Sequence, residues 1–255
     1  MIFDSHAHMD DSGSRQRYDP PEKIIAIMDA AGIDMAVVSS YRNASGDDPR
    51  ILEYVAEGAA GYPDRLIPYV RLSPWSGRYA LETLDRAVKE FRFRGVKLNP
   101  AGYDLHPSGD ITVEIFRKAA EYDVPVLVHC ADEAMCLPLQ YEAAVEQSPE
   151  TRVILAHMGG AFHFQDALRV CQRHRNVYMD TSAMPFVEHV RRAVRELGPG
   201  RVLFGTGIPM GNALLEIEKV RHANLGKQAE ERVFFRNIMG ILRIKREEEA
   251  VDHGN

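Results

Sequence analysis

The chain has little of what would place a protein outside the cell or in a membrane. Its three cysteines, Cys130, Cys136 and Cys171, are an odd number and too few for a disulfide framework in 255 residues. No run of 18 apolar residues occurs, and the opening MIFDSHAHMDD has neither the basic nor the apolar region of a secretory signal. These absences predict a cytoplasmic protein without a membrane partner. An excess of positive charge is missing too. With 31 basic and 37 acidic side chains the net charge is -6, which gives a phosphate backbone no surface to hold, so nucleic acid is not an expected partner. What remains is the composition of an ordinary folded domain, 45% apolar and 27% charged, too apolar for a disordered chain.

Eight short runs rich in Val, Ile and Leu recur along the chain: residues 2–6, 35–39, 66–72, 95–99, 125–129, 153–157, 177–181 and 202–206. Between them lie stretches of helical period such as PPEKIIAIMDAAG, where Pro20 and Pro21 suit a helix start and Gly32 its end. EAMCLPLQYEAAVEQ and PFVEHVRRAVRELG read the same way. Strand and helix alternating eight times predict an α/β protein, a (β/α)8 TIM barrel in a single domain over residues 1–244, with a charged tail at 245–255. A doubly wound open sheet would show a glycine fingerprint after its first strand, and here that turn reads HAHMDDSGS. AEERVFFRNIMGILRI, before the tail, is periodic and should cover the outside or bottom of the barrel.

Barrel enzymes place their chemistry at the carboxyl ends of the strands. Four histidines fall there: His6 and His8 on the first strand, His129 on the fifth and His157 on the sixth. Residues two apart on a strand share a face, so His6 and His8 can offer their imidazoles to one divalent ion, and His129 from the far wall can complete the set. The competing reading makes His6 and His8 polar core residues satisfied by neighbours such as Asp4. His157, in VILAHMGG, can bind metal or donate a hydrogen bond to bound water or a substrate oxyanion, and the second role is expected. Lys97, in GVKLNP, should point into the barrel, where it can anchor a carboxylate, form a Schiff base or pair with an acid. Arg71 is a second inward cation. Rim loops add Arg15, Arg17, Arg42, Trp75, Tyr103 and His106, a mixture suited to a small aromatic or carboxylated acid.

The segments IFDSHAH, IPYVRLSP, GVKLNP, PVLVHC, VILAHMGG, NVYMDTS, RVLFGTGIP and FFRNIMGIL resemble, in order and spacing, the amidohydrolase-2 family of metal-dependent barrels, over nearly the whole chain. The resemblance implies hydrolysis of small carboxylic acids or lactones, or nonoxidative decarboxylation of aromatic acids, which is lyase chemistry. It implies a metal, zinc or manganese, on His6, His8 and His129, with His157 against the activated water or substrate. One position departs from the pattern. Where the family carries aspartate after the eighth strand, this chain has Gly207, which can neither bind metal nor move a proton. Three readings follow: another carboxylate (Asp180, Asp132, Glu133 or Asp10) takes its place, the site works with three histidines and an open position, or catalysis is lost. Two further alternatives are a lyase or aldolase with a Schiff base on Lys97 and a barrel that binds ligand without turnover. Barrels of this size often form homodimers, but no apolar patch in the sequence marks an interface.

Overall fold

The computed structural model describes residues 1–11, 18–41, 49–102 and 105–244. Arg15, Arg17, Arg42, Tyr103 and the tail at 245–255 lie outside the described residues. Among the described residues ten strands occur: β1 (Phe3–His8), β2 (Asp10–Asp11), β3 (Tyr18–Asp19), β4 (Met35–Ser39), β5 (Leu66–Arg71), β6 (Gly95–Leu98), β7 (Val126–Val128), β8 (Val153–Leu155), β9 (Val177–Asp180) and β10 (Val202–Leu203). Eight of them form one parallel sheet in the order β1, β4, β5, β6, β7, β8, β9, β10, while β2 and β3 make a small antiparallel pair that the sequence reading did not anticipate. The first and last strands meet. Ser5 N donates to Phe204 O at 2.8 Å, Gly207 N to His6 O at 2.7 Å and His8 N to Ile208 O at 2.8 Å, closing the sheet into the expected (β/α)8 barrel.

Several predicted strands end sooner than expected. Those over 125–129, 153–157 and 202–206 shorten to three, three and two residues because their last positions turn away to form the site. β1 does the opposite and runs through His8, with a register shift between Asp4 and Ala7 that re-aims its end.

Helix α1 (Pro21–Ala31) starts and stops where the sequence says, with Pro20 as N-cap and Gly32 left-handed at φ 71°. Around the barrel follow α2 (Pro49–Ala60), α3 (Arg78–Lys89) and α4 (Asp110–Glu121). The stretch expected as one helix over 133–147 is instead a loop, a 3-10 turn at Pro138–Tyr141 and the short α5 (Glu142–Glu146). Pro138 has no N–H to give a helix that would reach back to residue 134, so the helix cannot begin earlier. α6 (Phe164–Arg173), α7 (Val187–Leu197) and α8 (Ala213–His222) complete the ring. α9 (Lys227–Glu231), a π turn (Arg232–Arg236) and α10 (Asn237–Leu242) then follow; Phe204 N, beside the seam, donates to Val233 O at 2.9 Å, and Arg94, just before β6, reaches Leu242 O. Apolar side chains from the strands and the inner helix faces form one buried cluster. Among the described residues no helix is long and apolar enough to cross a membrane.

Candidate active site

The four strand-end histidines converge. The ring centroids of His6 and His8 are 4.9 Å apart, those of His6 and His157 5.0 Å and those of His129 and His157 4.8 Å. Asp4 does not satisfy the His6 ring. Its carboxylate accepts from the backbone N of His6 at 2.9 Å and of Thr206 at 3.0 Å, and from the Thr206 hydroxyl, which fastens β1 to the turn after β10. Burial lifts the Asp4 carboxyl to about 7 against these hydrogen bonds.

Asp180, at the end of β9, is the anionic centre of the site. Its Oδ2 accepts from His6 Nδ1 at 3.0 Å, and its Oδ1 accepts from His157 N at 3.2 Å, from Ser182 N at 2.9 Å and from the Ser182 hydroxyl. Burial opposes its charge, but His6, His157 and Ser182 outweigh burial and hold the carboxyl far below the usual range. Ser182, two residues on, went unnoticed in the sequence. Its Oγ lies 3.0 Å from His6 Nδ1 and 2.9 Å from His157 Nδ1, and its backbone carbonyl lies 3.0 Å from His157 Nδ1.

These acceptors dictate the tautomers. A carboxylate beside His6 Nδ1 and a carbonyl beside His157 Nδ1 require an N–H at each, so both rings present the Nε2 lone pair. His129 is set from its other side, with Nε2 3.2 Å from Glu133 Oε2, which leaves its lone pair on Nδ1. That Nδ1 lies 3.1 Å from His157 Nε2. With those outer protons in place, two imidazole nitrogens face each other across 3.1 Å, a gap that either a proton or a metal cation can bridge. Burial supports the same state, lowering His6 to about 4 and pushing His8 and His157 well below their ordinary range, so these rings are neutral. His8 Nδ1 finds no hydrogen-bond partner among the described residues.

Lys97, on β6, points inward as expected, but its partner is not an acid. Nζ lies 3.0 Å from His6 Nε2, and burial brings the amine down to about 7. Arg71 stands opposite Lys97 in the register of β5 and β6, and both are buried.

His157 sits on a strained turn. It and Met158 are left-handed at φ 58° and 52°, and Gly159 and Gly160 continue at 87° and 74°. Asp132 braces this turn, accepting from Ala161 N and Phe162 N at 2.9 Å each, and a Cβ at Gly160 would come within 2.6 Å of its carboxylate. Gly207 differs. A Cβ there would meet nothing within 4 Å, although the backbone is left-handed at φ 69°. Of the rim residues, Trp75 and His106 are exposed.

The donor atoms of His6, His157 and Asp180 lie within 4.8 Å of one another, and this set could hold an ion. The Nδ1 atoms and Asp180 are mutually satisfied; of the inward nitrogens, His6 Nε2 is paired with Lys97 Nζ, while His157 Nε2 and His129 Nδ1 face each other. Converging imidazole nitrogens beside a buried carboxylate suit a divalent metal ion.

The sequence pattern of the amidohydrolase family matches residues 3–237, so the chain belongs to that family. No curated protein matches the sequence. Among solved structures, a dihydroxybenzoic acid decarboxylase from Polaromonas with bound manganese and the inhibitor 2-nitroresorcinol superposes with TM-score 0.78 at 15% identity, over 98% of this chain and 99% of that one. A 2,6-dihydroxybenzoate decarboxylase from Rhizobium gives 0.76 at 16%, over 95% and 98%. A TIM-barrel protein of undefined function from Bordetella bronchiseptica gives 0.79 at 19%, over 95% and 98%. At such identities the likeness establishes the shared barrel.

Proposed function

We propose that this amidohydrolase is a metal-dependent enzyme that removes carbon dioxide from a small aromatic carboxylic acid. The observation that carries the reading is the convergence of His129 and His157, whose inward nitrogens lie 3.1 Å apart, beside His6. His6, His129 and His157 would hold the ion, beside His8, whose Nδ1 has no hydrogen-bond partner among the described residues. Manganese and zinc both suit these donors. A divalent ion bound there supplies positive charge toward a substrate carboxylate. His157, presenting a lone pair where a hydrogen-bond donor was expected, serves as a ligand in this arrangement.

The chain's own residues supply the rest. Arg71 gives the pocket fixed positive charge for an acid, and Lys97 adds to it while protonated. Lys97 Nζ, desolvated to about 7, holds a proton near neutral pH and can release it to the ring carbon that loses its carboxylate. The balance is a carboxylate and one proton in, carbon dioxide and the protonated ring out. Asp180 and Ser182 fix the orientation of His6 and His157. Support for decarboxylation over hydrolysis comes from the decarboxylases that share the barrel. A small molecule is the only partner this reading needs.

The test is metal titration with Mn2+ and with Zn2+, followed by carbon dioxide release from a panel of hydroxybenzoic acids, with lactones as the hydrolysis control. Uptake of about one ion per chain that disappears in His6→Ala, with carbon dioxide released, is expected. A protein that takes up neither ion refutes the proposal, and lactone opening without carbon dioxide replaces decarboxylation with hydrolysis.

A further inference from the structure

The three inward-facing imidazoles are set in their tautomers by different means. His6 is held by a fully buried carboxylate, and His157 by a backbone carbonyl that no substitution removes. His129 alone depends on a side chain at the surface, Glu133, which is 58% exposed. An exposed carboxylate near an imidazole ordinarily contributes little. This one is delivered by a built loop. Ala131 N donates to Cys136 O at 3.1 Å and Cys136 N to Glu133 O at 3.1 Å, folding the segment after β7 back over His129, while the Tyr141 hydroxyl donates to His129 O and pins its backbone. The four-residue spacing of His129 and Glu133 falls in this irregular loop, so no helix brings the two together. The other candidate acids are committed elsewhere: Asp132 to the backbone of Ala161 and Phe162, Asp180 to His6 and His157, Asp10 to Tyr41 N at 2.9 Å.

We infer that Glu133 is a positioning residue: it accepts the Nε2 proton of His129 and so keeps the Nδ1 lone pair aimed at His157 Nε2. If Glu133 were absent, the proton could move to Nδ1, where it would bridge the 3.1 Å gap to His157 Nε2 and block the space between the rings. The effect on ion binding rests on the function proposed above; the tautomer itself does not.

Two readouts separate them. Long-range 1H–15N correlation spectra of metal-free protein labelled with 15N-histidine, with His129→Asn to assign the signal, report the tautomer directly. Wild type and Glu133→Gln, which retains an acceptor oxygen, are expected to show His129 protonated on Nε2, and Glu133→Ala to show proton on Nδ1. Mn2+ affinity, read from electron paramagnetic resonance of the free ion, is expected to fall about 10- to 100-fold in Glu133→Ala, the usual loss for a group orienting a ligand, and to recover in Glu133→Gln. An unchanged tautomer in Glu133→Ala overturns the inference whatever the affinity does. A Gln variant that behaves like Ala also overturns it, because charge and not hydrogen-bond acceptance would then be at work. A wild type that takes up neither Mn2+ nor Zn2+ refutes the proposed function and leaves the tautomer result to stand alone.

Discussion

The two ends of the barrel differ in a way that cavity size does not reveal. The amino-terminal end has a cleft of about 490 Å3 lined by Met1, Ile2, Arg221, Glu231, Phe234 and others. Its neighbourhood carries paired, solvated charges: Asp123 accepts from Arg152 at 2.6 Å and pairs with Arg243, and Arg65 with Asp29 at 2.7 Å. The carboxyl-terminal end packs His6, His8, Lys97, Arg71, Asp4 and Asp180 almost out of solvent's reach. Burying six ionisable side chains against one another is costly, and a fold keeps such a cluster only where the groups satisfy one another or await a ligand. Buried charge chemistry, and not open volume, marks the working end.

The sharpest way to break this contrast is to remove one carboxylate from each end. Asp180→Ala leaves His6 Nδ1, His157 N and the two Ser182 donors without their acceptor, and should cost about 3–5 kcal/mol in urea unfolding together with all ion uptake. Equal losses for Asp180→Ala and Asp123→Asn would remove the distinction between the two ends. Next in size is Gly207→Asp. Space is open for the side chain, and aspartate tolerates a left-handed backbone better than most residues, so the variant should fold. A positioned acid–base group contributes about 10²–10⁴ in rate, so turnover of an accepted substrate should rise at least tenfold; no gain with the ion bound would mean that Gly207 does not stand at a vacated catalytic position.

A third measurement concerns Lys97 in the metal-free protein. Its folded value of about 7 lies below the ordinary 10.5, so above pH 7 the unfolded chain holds one more proton than the folded one. Stability should therefore rise with pH, by at most about 1.4 kcal/mol per unit, and the window from 7 to 8.5 lies below most cysteine ionisation. Lys97→Met should flatten that slope; an identical slope in the variant would place the amine's titration elsewhere. Smallest of all, Asp123→Asn at the opposite end should shift stability by about 1 kcal/mol or less, because its ion pairs are exposed to solvent.

Much of this was legible before any coordinates. Strand and helix periodicity gave the barrel, since each βα unit writes its own local pattern, and His6, His8, His129 and His157 stood where apolar runs stop. Strand ends were less readable, because residues such as His129 and His157 leave the sheet under contacts made from far away in sequence. Ser182 had no signal beyond its place in NVYMDTS; its role arises from rings 25 and 176 residues distant. Glu133 could be named only as one of four candidate acids, since the loop that returns it over His129 has no periodicity. The expected helix over 133–147 failed for a different reason: its apolar spacing was right, and Pro138 overruled it.

The clasp between Asp4 and Thr206 joins positions 202 residues apart. His6 lies beside that seam, so the ring of imidazoles is complete only after the last strand has docked against the first. During synthesis, the segment carrying His6 and His8 must wait for most of the polypeptide to emerge before it meets His129 and His157. Until then no partly made chain brings the four imidazoles together, so the site takes shape only in the fully assembled protein.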